Sequence, residues 1–142
     1  MESIVVGTDG SQAAEAAVER AADLARGSGA RLHMVTAYPD VPSYRERIVS
    51  SAKRESIDLR DVAETVLART VEKLTDEGIA VETHARDGDP AEAILEVALE
   101  QTADLIVVGD RGLTGIERFL LGSVSSKLSH HAPCSVMIVR PS

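Results

Sequence analysis

The strongest chemical signal in the chain is a set of three glycines and a serine. It reads Gly109-Asp110-Arg111-Gly112, then nine residues, then Gly122-Ser123-Val124. The first pair follows the apolar run Leu105-Ile106-Val107-Val108. Glycine at that point lets the backbone leave a strand with no Cβ in the way. The second cluster stands ahead of Val124-Ser125-Ser126-Lys127-Leu128, which can continue as a helix. A helix start offers N–H groups without intrahelical partners and the positive end of the dipole. Ser123 adds a hydroxyl. The chemistry this suits is the holding of an anion, and the spacing suits a phosphate chain. Turn glycines around a surface loop have the same composition. The strand before the first pair and the helix after the second favour the binding reading.

Other phosphate and redox signatures are missing. A Walker loop needs a lysine beside the Ser/Thr, and Lys127 stands four residues beyond Ser123. The dinucleotide fingerprint needs G-x-G-x-x-G after the first strand, and here that strand runs into Gly7-Thr8-Asp9-Gly10-Ser11. Asp9 has two readings: an acceptor for the N–H groups of its own turn, or an acceptor for ribose hydroxyls. A receiver-domain phosphoacceptor is excluded. Thr8 and Gly10 flank Asp9 where an acidic cluster is required, and the last strand ends Val139-Arg140-Pro141-Ser142 without the needed lysine. His33, His84, His130 and His131 show no metal-ligand spacing and read as packing or solvent-facing groups. Cys134 reads as a small apolar filler.

The elements that must position these residues alternate from end to end. Ser3 to Val6 is a short apolar strand, and Ser11 caps a helix predicted over 12–28. That helix carries Ala14, Ala17, Val18, Ala21, Leu24 and Ala25 on one face. Residues 32–37 form the second strand. Residues 38–56, with Pro39 and Pro42, read as a long loop. A helix follows over about 57–77, ended by Gly78, and then a strand over 79–85. Asp89-Pro90-Ala91-Glu92 opens the next helix with a cap, a proline at the first position and a glutamate at the third. The fourth strand is placed at 104–108, the last helix at 123–131 and the fifth strand at 134–140. Strand–helix alternation with apolar strands implies a parallel sheet covered on both faces, doubly wound through right-handed crossovers. Ligands of such sheets bind at the carboxyl ends of the strands, where Asp9 and Gly109 both lie.

Composition narrows the function further. A chain of 142 residues suits one domain, 1–142. The net charge of -8 disfavours a nucleic-acid partner. Tyr38, Tyr44 and Phe119 are the whole aromatic complement, too little for a base-stacking platform. The single cysteine forbids an internal disulfide, and Met1-Glu2-Ser3 lacks a basic leader, so a cytoplasmic location is expected.

With these segments in place, the chain resembles the nucleotide-binding branch of the universal stress protein family. The likeness is carried by Ile4-Val5-Val6-Gly7-Thr8-Asp9-Gly10-Ser11, by Gly88-Asp89-Pro90-Ala91-Glu92-Ala93-Ile94, by residues 103–124 with their glycine spacing, and by Ala132-Pro133-Cys134 through Arg140. The resemblance implies sheet order 3-2-1-4-5 and ATP at the ends of strands one and four. By position, Asp9 would hold the ribose and the Ala37 backbone would meet the adenine edge. Gly109 and Gly112 would leave room for ribose and phosphates. Gly122, Ser123 and Val124 would bind the phosphate tail, with Ser125 assisting. A bound Mg²⁺ or Mn²⁺ would be held mainly by phosphates and water.

Two expectations concern surfaces. Arg45, Arg47, Lys53 and Arg54 place positive charge in the loop after strand two, suited to a lid over phosphates; Glu46 and Glu55 equally allow a solvated, balanced loop. The fifth strand is apolar through Val136-Met137-Ile138-Val139, so an unguarded edge there would pair with a second copy. No general base, Walker lysine or arginine finger can be assigned, so catalysis is expected to be weak or absent. The expected function is a dimeric ATP-binding sensor or reservoir of the stress response. A cyclic AMP binder is one alternative, and a nucleotide-free interaction protein another, which the glycine spacing counts against. A true adenine-nucleotide hydrolase lacks its S-G-G-x-D-S and H-x-G-H motifs here.

Overall fold

The computed structural model describes residues 1–38, 59–110 and 123–140. Five parallel strands, β1 (Ser3–Gly7), β2 (Arg31–Tyr38), β3 (Val81–Asp87), β4 (Leu105–Gly109) and β5 (Ser135–Val139), form one sheet. Their order is β3-β2-β1-β4-β5, as expected. Four helices are described: α1 (Gln12–Ser28), α2 (Leu59–Asp76), α3 (Pro90–Glu100) and α4 (Ser123–His131).

β1 is central and wholly buried, and its two faces feed separate cores. Ile4 and Val6 pack with the alanines of α1 and with Leu67 and Leu74 of α2. Val5 packs with Ile94 and Val97 of α3 and with Val124 and Leu128 of α4. The alternation follows from the two-residue period of a strand, and it explains why β1 reads as a continuous apolar run. Ala17 and Ala21 have no exposed surface, so α1 lies close against the sheet.

Caps set the helix starts. Ser11 accepts the Ala14 N–H at 3.2 Å, and Asp89 accepts the Glu92 N–H at 3.1 Å, with Pro90 in the first turn. At the far end of α1, Gly29 takes φ 74°, a left-handed cap.

The element boundaries differ from expectation by one or two residues at several places, four of which have a clear cause. β3 begins at Val81 and not at residue 79, because Ile79 is still occupied with the exit of α2, its N–H bonded to Leu74 O at 3.2 Å. Tyr38 completes β2 instead of opening the loop, paired with Asp87. Asp104 precedes β4, because its carboxylate caps the N–H groups of Glu2 and Ser3 at 2.7 and 3.0 Å. Cys134 precedes β5 and is half-buried against the second core, where desolvation raises its thiol pKa. The loop containing Arg45, Arg47, Lys53 and Arg54, and the glycines Gly112 and Gly122, lie outside the described residues.

Candidate functional site

The carboxyl ends of β2 and β1 are bound to each other by short-range polar contacts. The Thr8 N–H, just beyond β1, donates to Val35 O of β2 at 2.9 Å. Thr36 of β2 returns the contact, its hydroxyl donating to Thr8 O at 2.6 Å. Thr8 Oγ1 accepts the Gly10 N–H at 3.1 Å, and Asp9 Oδ1 accepts the Ser11 N–H at 2.9 Å. The turn is thus held from both sides of its backbone. Gly10 sits at φ 80°, and a Cβ there would come within 3.1 Å of Val66 Cγ1 in α2. The left-handed backbone favours glycine, and a Cβ would also have to shift the Val66 methyl by a few tenths of an ångström.

Asp9 therefore performs the turn role that its sequence position allowed, but with one oxygen only. The residue is exposed, and among the described residues Oδ2 takes no hydrogen bond. A carboxylate oxygen held in a fixed turn and open to solvent is a pre-positioned acceptor for hydroxyl groups.

The end of β4 is built differently. The register Val6↔Val107 brings the two strand ends side by side, with Asp9 and Asp110 each three residues beyond that pair. The Asp110 N–H donates to Val139 O at 3.0 Å, which ties the exit of β4 to β5. Ser125 of α4 has no exposed surface, and its hydroxyl donates to Gly109 O at 2.7 Å. Val124 is buried in the second core, whereas Ser123, the first residue of α4, is exposed. The helix start is thus fastened to the strand end, with Ser123 left at the surface. Ala37 lies two residues beyond Val35 on β2, half-buried and paired with Arg86.

Not every expected residue shares one hollow. A cavity of about 370 Å³ opens on the α1–α2 side and is lined by Thr8, Asp9, Gly10 and Ser11 together with Val66 and Arg69 of α2. Asp9 belongs to it; Ala37, Gly109, Ser123, Val124 and Ser125 do not line it. The α2 wall was not foreseen as part of a site, since Val66 carries only a core signal in the sequence. Lys127 is engaged by the start of α3. Its ammonium lies 3.3 Å from Glu92 and 3.5 Å from Asp89 at the start of α3, and these carboxylates raise its pKa, Glu92 first.

The α/β arrangement recurs in known proteins. The family model described as Universal stress protein family matches residues 1–140. The chain belongs to the universal stress protein family. A universal stress protein of Thermus aquaticus is 36% identical over 146 residues, covering 98% of each chain. A universal stress protein solved in complex with cAMP is 33% identical with a TM-score of 0.70, covering 97% of this chain and 95% of that one. The Archaeoglobus fulgidus universal stress protein solved in complex with dAMP is 26% identical with a TM-score of 0.72, covering 97% of each chain. This universal stress protein shares their α/β fold, and among its described residues no helix is long and apolar enough to cross a membrane.

Proposed function

We propose that this protein binds an adenine nucleotide, ATP foremost, at the joined ends of β1 and β4, and serves as a nucleotide sensor or reservoir in the stress response. The observation that carries this reading is the fastening of the α4 start to Gly109 by Ser125, which holds a helix N-terminus at the end of β4, the strand paired with β1. In this arrangement Asp9 accepts from the ribose hydroxyls through its open oxygen. The Ala37 backbone meets the adenine, and Gly109 and Gly112 leave space for ribose and phosphates. Gly122, Ser123 and Val124 donate to the phosphate tail. Ser125 works behind them, since its hydroxyl proton is committed to Gly109 O. The residues present fit a divalent cation held mainly by phosphate and water, because exposed Asp9 and Ser123 offer only hard oxygen donors.

The complexes with cAMP and dAMP among the similar structures support an adenine nucleotide as the ligand class. Denaturing the purified protein and analysing what it releases by mass spectrometry tests this directly, followed by calorimetric titration with ATP and with cAMP. ATP binding tighter than cAMP is expected, because a cyclic monophosphate cannot occupy a triphosphate cradle. Tighter cAMP binding reverses the preference, and no binding of either ends the proposal. β5 is an edge strand with Val136, Met137 and Ile138 only half-buried, which supports pairing of two copies along it. A monomer in sedimentation at micromolar concentration removes the dimer.

A further inference from the structure

Away from the strand ends, β2 and β3 bring together three metal-ligating side chains. The register pairs His33 with Glu82 and Val35 with His84. Paired and alternate residues of neighbouring strands project from one face, here the α3 side, where Val35 packs. His33 Nδ1 lies 3.1 Å from His84 Nε2. Glu82 Oε2 is 3.7 Å from His33 Nδ1, and Oε1 is 4.0 Å from His84 Nε2. The imidazoles form a floor, with side chains 2% and 8% exposed, and the carboxylate is 46% exposed above them.

We propose that His33, Glu82 and His84 form a Zn²⁺ site with two nitrogen ligands, one oxygen ligand and a fourth position for water. Zn–N bonds of about 2.0–2.1 Å in a tetrahedron set ligand atoms about 3.3–3.4 Å apart. The imidazole nitrogens need to part by a few tenths of an ångström from 3.1 Å, and the rings to tilt so that both lone pairs aim at an ion beside the line that joins them. Glu82 closes a similarly small gap by turning a side chain that solvent leaves free to move. The two nitrogens lie within hydrogen-bond distance, so one ring carries the shared proton. On binding, that ring takes its other tautomer and keeps its proton on the nitrogen turned away. Both facing nitrogens then offer lone pairs to the cation. The exposed carboxylate marks the route of entry.

The surrounding charges permit this. Burial is the first cause lowering the pKa of both rings, against the opposing pull of Glu82. Arg86, which faces the same side, is taken up by Glu100 at 2.7 Å and Glu96 at 3.7 Å. Arg31 at the start of β2 is exposed and screened. A bound ion would fasten β3, an edge strand, to β2. Metal binding would then show as added stability.

Untagged, nucleotide-free protein titrated with ZnCl₂ in a calorimeter, and melted with and without Zn²⁺, tests the site. One equivalent bound per chain at micromolar Zn²⁺ with a raised Tm is expected, and MgCl₂ should change neither. Glu82→Gln, at an exposed position, should fold normally and bind Zn²⁺ about tenfold more weakly or worse, at least the loss that a metal's outer partners alone can cause. His84→Ala should abolish binding. Should His84→Ala not fold, the visible spectrum of Co²⁺-loaded protein decides. Four-coordinate bands in the wild type must weaken or shift in Glu82→Gln. Absence of Zn²⁺ uptake, or uptake that Glu82→Gln leaves unchanged by calorimetry and by the Co²⁺ spectrum, overturns the proposal.

Discussion

Ser125 donates its hydroxyl proton to the carbonyl of Gly109 across 16 positions of sequence, at 2.7 Å and fully shielded from water. That bond joins the start of α4 to the end of β4. Ser125→Ala leaves the Gly109 carbonyl without this partner in a dry site. An unmade buried hydrogen bond costs about 1–3 kcal/mol, so the urea midpoint should fall with an unchanged slope. Nucleotide retention should fall too, although Ser125 itself is turned inward.

Ser123 separates binding from folding. It is exposed at the first position of α4. An aspartate there complements the helix dipole, which stabilises by about 0.3–1 kcal/mol, while its charge opposes a phosphate tail. Ser123→Asp should therefore hold or raise Tm and yet lose ATP in calorimetric titration. Unaltered ATP affinity in this variant would place the phosphates elsewhere.

Thr36 and Thr8 form the corresponding joint between β2 and β1. Thr36→Val keeps the shape of the side chain but removes the donor to Thr8 O, and a loss of about 1–3 kcal/mol is expected in chemical denaturation. Thr36→Ser keeps the donor and should lose less. Equal losses in the two variants would show that the methyl group, not the hydroxyl, matters at this position.

Asp104 predicts an acid dependence. Its carboxylate accepts the N–H groups of Glu2 and, second, Ser3, and these hold its pKa below the usual aspartate value. Because the folded-state pKa is the lower one, the stabilisation is complete at neutral pH. It drains away as pH falls below about 4 toward the folded value. Asp104→Ala should lower Tm at pH 7, and the gap to wild type should close on acidification through that window. A gap constant with pH would assign the effect to packing instead.

Much of the architecture could be read in advance because local signals agreed. Ser11 and Asp89 announced helix starts through side chains that cap their own backbone. The alanine face of α1 and the unbroken apolar β1 and β4 announced a sheet covered twice. The limits arose where distant residues decide. β3 was placed two residues early because Ile79 is apolar and strand-like in composition, although its N–H still belongs to the end of α2. The histidines were read as packing or solvent groups, since 51 positions separate His33 from His84 and only the β2–β3 register brings them to 3.1 Å. Glu82 and His84, two apart on one strand face, were the only local hint. At the candidate site, the positions of Asp9 and Gly109 followed from strand ends. The inward commitment of Ser125 and the α2 wall beside Asp9 depend on tertiary packing that no short motif encodes.

β1 is covered by helices above and below and flanked by a strand on each side. Its amide protons are sealed on four sides, whereas β3 and β5 each have one side without a strand neighbour among the described residues. In deuterated buffer, Ile4 through Val6 should be the last to trade hydrogen for deuterium, surviving partial openings that expose the margins. The Asp9 turn hangs from the most persistent strand of the molecule, so a guest seated on it would meet a fixed floor even while the periphery breathes.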